Sequence, residues 1–172
     1  MTTARLKKYA WLAAFAMTAP VAAQSAAARP GGAGSQETFG SWTVVCKEAI
    51  KLCSLSQTQT DPQSRQRVLT LQLSPVDDKV NGTLIMPFGL ALDNGVTLQV
   101  DDGPAGPVLR YRTCLPLGCL VSISFDAKLV AALRKGAALR INGVADGGKA
   151  ETFTIPLDGF PAALDRTLAL VK

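Results

Sequence analysis

The chain has 172 residues, with 18 basic and 13 acidic side chains and no histidine. The missing imidazole excludes Ser-His-Asp and Cys-His nucleophiles, histidine-ligated zinc and an imidazole proton shuttle. The formal charge of +5 overstates the basic character: Arg5, Lys7 and Lys8 lie at the extreme N-terminus, and without them the charge is +2. The remaining Lys and Arg are scattered among Asp and Glu, which argues against the basic stripe of a nucleic-acid binder.

Arg5, Lys7 and Lys8 form the basic start of an export signal, followed at 9–19 by an apolar stretch too short to span a bilayer comfortably. Small residues at Val21, Ala22 and Ala23 place the cut after Ala23, with the alanines before Arg29 as an alternative. No cysteine lies at the cut, which argues against a lipoprotein. The expected mature chain is periplasmic, with envelope association or secretion open, and is not stably inserted in a membrane. Residues 24–37, rich in Ala, Gly and Ser, read as a flexible leader, and 38–172 as one domain.

From Thr38 onward, apolar and β-branched runs alternate with Asn-Gly, Asp-Gly and proline-containing turns. In RVLTLQL, Leu69, Leu71 and Leu73 fall on one side and Val68, Thr70 and Gln72 on the other. Such strands predict a mainly β domain, an antiparallel sandwich rather than a barrel or an α/β fold. Two short helices are predicted. One runs between Asp126 as N-cap and Gly136 as the residue after its end, with Leu129, Val130 and Leu133 on one face. The other follows Pro161 and carries Leu164 and Leu168 inward behind Phe160.

Four cysteines form two close pairs, Cys46 with Cys53 and Cys114 with Cys119. In an oxidising compartment they are expected as disulfides. Four cysteines allow three connectivities. Local pairing is favoured because Pro116 and Gly118 suit a turn inside CLPLGC, and the charged 47–51 segment suits a hairpin loop. Neither pair has CxxC spacing and no histidine can serve as co-ligand, so no metal or cofactor is expected.

No catalytic residue is assigned. No serine has lysine three positions on, and the adjacent carboxylates Asp77-Asp78 and Asp101-Asp102 would point to opposite faces of a strand, so they read as turn residues. A partner-binding face is expected in VLRYR at 108–112. If Leu109 and Tyr111 face the core, Arg110 and Arg112 project together beside the Cys114–Cys119 turn, as a reader of anions or carboxylates.

Several pieces in order carry a family resemblance: WTVVC at 42–46, CSLSQ at 53–57, MPFGLALDNGVTLQVDDGP at 86–104, CLPLGC at 114–119 ahead of a helix, and PLDGF at 156–160 with Ala162 and Ala163. Together they resemble the invasion-associated locus B family of exported bacterial proteins over about 39–168. The resemblance implies an immunoglobulin-like β-sandwich in the periplasm or envelope and a link to host-cell invasion in some pathogens. It supplies no catalytic residue. At the matching positions Trp42, Phe88 and Leu90 are expected in the core and Gly89, Gly95 and Gly103 in tight turns. The expected function is non-enzymatic, by binding a protein partner of the envelope or host or by supporting the envelope. The alternative is a periplasmic hydrolase or redox enzyme of unrecognised type.

Overall fold

Alternating apolar residues in the strands demand two packed layers, and the computed structural model, which describes residues 35–47, 50, 52–77 and 79–171, shows how they form. Ten strands and two helices lie among the described residues. The larger sheet holds seven strands in the order β1 (Ser35–Phe39), β2 (Trp42–Lys47), β3 (Leu52–Thr60), β4 (Arg67–Val76), β5 (Lys79–Met86), β8 (Gly118–Phe125) and β7 (Tyr111–Leu115). The smaller sheet orders β10 (Ala150–Pro156), β9 (Ala138–Val144) and β6 (Thr97–Val100). Every named pairing is antiparallel. This is the mainly β, two-sheet architecture that the sequence predicts.

Helix α1 (Ala127–Lys135) follows β8, and α2 (Phe160–Val171) closes the described chain. Packing of α2 falls on β2 and β3, with β1 and β4 at its margins. Phe160, Ala163, Leu164 and Thr167 form its buried face, while Leu168 is half-buried against the core. The inward side of the large sheet is built as the alternation requires: Leu69, Leu71 and Leu73 are buried, and Gln72 between them is exposed. Each such side chain contributes about 1.5–3 kcal/mol by leaving water. Leu139, Ile141 and Ile155 of the small sheet join the same cluster.

The β1–β2 turn docks on the start of α2. Ser41 Oγ donates to Asp158 Oδ1 at 2.8 Å. Gly159, at φ 81°, is required there, because a Cβ would lie 2.0 Å from the Phe39 carbonyl oxygen. Arg166 of α2 forms a two-pronged pair with Glu37 of β1, at 2.7 and 2.8 Å. This pair draws Glu37 below the ordinary carboxylate range.

Three local expectations are revised. Strand pairing begins at Ser35, three residues before Thr38, because Ser35–Phe39 completes a hairpin with β2. Phe88 is 61% exposed rather than in the core: β5 ends at Met86, and the bend through Gly89 at φ 85° breaks the period-two pattern, leaving Leu90 as the buried neighbour. Gly136 does not take the left-handed geometry of a helix-ending glycine; its φ is −76° and ψ 159°. Glycine is needed there for space, since a Cβ would lie 2.6 Å from Val100 Cγ1. Gly103 lies in a tight turn as expected, its N–H donating to the Val100 carbonyl at 3.0 Å, without the positive φ of Gly89 and Gly95. The expected export signal at 1–23 and most of the leader lie outside the described residues.

Candidate functional site

Both disulfides are local. Cys46 faces Cys53 across the β2–β3 hairpin with Cα atoms 4.1 Å apart, and Cys114 faces Cys119 across the β7–β8 hairpin at 3.9 Å. Their surroundings differ. Cys46 and Cys53 are 1% and 2% exposed, whereas Cys114 is open to solvent. The turn between β7 and β8 consists of Pro116 and Leu117, and the Leu117 carbonyl accepts a bond from the Arg67 guanidinium.

Strand β7 is the outer strand of the large sheet, so one side of its backbone has no strand neighbour among the described residues. Leu109 and Tyr111 are half-buried against the core, and Arg110 and Arg112 are exposed, as the alternation predicts. Two details differ from a continuous strand. Leu109 makes an isolated bridge to Val96, and β7 proper begins only at Tyr111. The register then shifts between Tyr111 and Thr113, placing Arg112 at an irregularity of the β7–β8 pairing.

The two arginines consequently do different things. Arg110 donates to the Asp93 backbone carbonyl and ties the entry of β7 to the short 3₁₀ turn Leu92–Asn94. Arg112 makes no ion pair among the described residues. Both line a concavity of about 290 Å³ with Leu92, Tyr111 and Thr113. Burial raises the Tyr111 phenol above its ordinary pKa, and its hydroxyl has no hydrogen-bond partner among the described residues.

The candidate carboxylates have structural partners. Asp101, at φ 49°, accepts from the backbone N–H groups of Ala137 and Ala138 at 3.0 and 2.8 Å. Asp102 pairs with Arg140 at 2.6 Å. Asp77 sits in a turn at φ 53°, and Asp78 is outside the described residues. Asp126 caps α1 as expected, accepting from Leu129 N–H at 2.8 Å.

A second concavity, of about 730 Å³, lies between β6, the end of β8 and α1. Nothing in the linear pattern marks it. Its walls come from segments near 98–109, 123–125 and 128–136, which only the tertiary fold brings together.

Residues 42–168 match the family described as "Invasion associated locus B (IalB) protein". The chain belongs to the invasion associated locus B family. It is similar to an invasion protein B homolog of Brucella abortus (strain 2308), 48% identical over 152 residues covering 86% of this chain and 87% of the relative. Similarity to invasion protein B of Bartonella bacilliformis reaches 36% identity over 169 residues, covering 93% of this chain and 90% of the relative. The fold matches the crystal structure of invasion associated protein B from Bartonella henselae with a TM-score of 0.72 at 34% identity, over 79% of this chain and 97% of that one. No helix among the described residues of this family member is long and apolar enough to cross a membrane.

Proposed function

We propose that the chain is an exported, non-enzymatic protein of the bacterial envelope that acts by binding a protein partner through the open edge of β7. The single observation that carries this reading is the placement of Arg112, an exposed guanidinium without an ion pair among the described residues, at an irregularity on an outer strand. Leu92 in the same concavity and Leu115 on the same strand are exposed apolar side chains. Guanidinium and apolar groups next to unpaired backbone suit an extended, acidic segment that adds to the sheet edge. The short cross-strand disulfide at Cys114 and Cys119 keeps that edge rigid. The Brucella and Bartonella relatives are named invasion proteins, which supports a role in contact with an envelope or host component. Two disulfides support export into an oxidising compartment.

The test separates the two arginines. Arg112→Ala is expected to weaken capture of the partner from native envelopes, more at low salt than at moderate salt, with an unchanged melting temperature. Undiminished capture by the normally folded Arg110→Ala, Arg112→Ala double variant would remove this edge as the contact face.

A further inference from the structure

The cleft between α1 and β6 is a place where the fold stops short of filling its own interior. Half-buried Leu109 and Leu129 form its apolar wall, with the edges of the nearly buried Leu98 and Ile123 between them and Phe125 closing the core beneath. The reason lies in α1. Its residues facing the cleft are Lys128, Leu129, Ala132 and Lys135, at the three- and four-residue spacing of one helical stripe. Ala132 is too short to close the space, and Gly136 beyond the helix end has no room for a side chain, since a Cβ would lie 2.6 Å from Val100 Cγ1. On the opposite rim, Gly106 N–H donates to the Leu98 carbonyl at 2.8 Å, holding a glycine- and proline-rich strap beside β6 without a large side chain to plug the opening.

The charges at the rim are not equivalent. Asp126 is committed to the N-terminal N–H of Leu129 and Asp101 to the N–H groups of Ala137 and Ala138. Lys128 and Lys135 are exposed and make no ion pair among the described residues. They stand seven residues apart on α1, roughly 10 Å along its axis. A long-chain ammonium can lay its methylenes on an apolar wall and keep its charge at the mouth.

We propose that this cleft binds a single-chain anionic amphiphile, its acyl chain on Leu98, Leu109 and Leu129 and its head group between Lys128 and Lys135. At about 730 Å³ the cleft falls in the size range of small-molecule sites. A free fatty acid and an anionic lysolipid share this chemistry, and the head group distinguishes them.

The test is calorimetric titration of the purified protein with dodecanoate, dodecyl phosphate, dodecanol and dodecyltrimethylammonium, each below its micellar concentration. Saturable binding at one site per chain is expected for the two anions. Preference for the carboxylate points to a fatty acid and preference for the phosphate to a lysolipid. Each methylene added to a shorter carboxylate should tighten binding roughly fourfold until the cleft is full. Ala132→Trp, which fills the opening from an exposed helix position, is expected to abolish binding. Lys128→Glu with Lys135→Glu should weaken the anions at least tenfold and leave dodecanol unchanged. If Ala132→Trp melts early, amide shifts of the unmodified protein replace it, and perturbation centred on Leu98, Ile123 and Ala132 supports the site. Absence of saturable binding, perturbation centred elsewhere, equal binding of the cation, or indifference to the lysine changes overturns the proposal.

Discussion

The indole of Trp42 meets the ring of Phe160 edge to face, with centroids 5.0 Å apart and planes at 62°, and so joins β2 to the first turn of α2. Both side chains are fully buried, and the Trp42 Nε1–H is satisfied by the Pro156 carbonyl at 3.1 Å. Because Pro156 ends β10, this one indole touches the large sheet, the helix and the small sheet. Phe160→Ala is therefore expected to cost about 3–5 kcal/mol, read from urea unfolding. A loss under about 1 kcal/mol would show that α2 is not anchored through this contact.

Much of the fold could be read before the structure because its signals are local. The leucines at 69, 71 and 73, the cap at Asp126 and the hairpin cysteines each state their geometry within a few residues. What escaped depends on distant neighbours. The turn at Gly89, at φ 85°, leaves Phe88 61% exposed at a position that the family resemblance assigned to the core. Gly136 is glycine because Val100 approaches it, not because the helix end requires a positive φ. The outward aim of Arg110 and Arg112 was legible from period two, whereas the tether of Arg110 to Asp93 and the irregularity at Arg112 were not.

Gly136 offers a clean check on close approach. Gly136→Ala is expected to destabilise by roughly 1–3 kcal/mol through overpacking against Val100. Gly147→Ala meets nothing within 4 Å and serves as the control. Thermal melts of the two variants should separate clearly.

The disulfides should differ in access rather than in pairing. Intact mass under non-reducing conditions is expected four hydrogens below the reduced value, with peptide maps joining Cys46 to Cys53 and Cys114 to Cys119. Mild reductant should open the Cys114–Cys119 bridge first, because Cys114 is exposed although Cys119 is buried. Replacing Cys114 and Cys119 by serine is expected to cost about 2 kcal/mol and leave the other bridge intact.

The Glu37–Arg166 pair gives a signed pH dependence. Hydrogen bonding to Arg166 lowers the Glu37 pKa from its ordinary 4.5, so the folded state binds this proton less readily than the unfolded chain. Its stabilising contribution is present above pH 4.5 and is lost as pH falls from there through the lowered folded value. Arg166→Ala should make the acid loss of stability shallower in that window and leave the alkaline side unchanged. Identical acid limbs for the two proteins would show that the pair is silent.

The contact role of the β7 edge is tested most directly by placing a photo-crosslinking residue at Arg112, with Lys149 on the β9–β10 turn as the control position, and irradiating native envelopes. A discrete adduct from position 112, absent from position 149 and competed by excess unmodified protein, is the expected result. No adduct, or the same adducts from both positions, would contradict recognition through this strand.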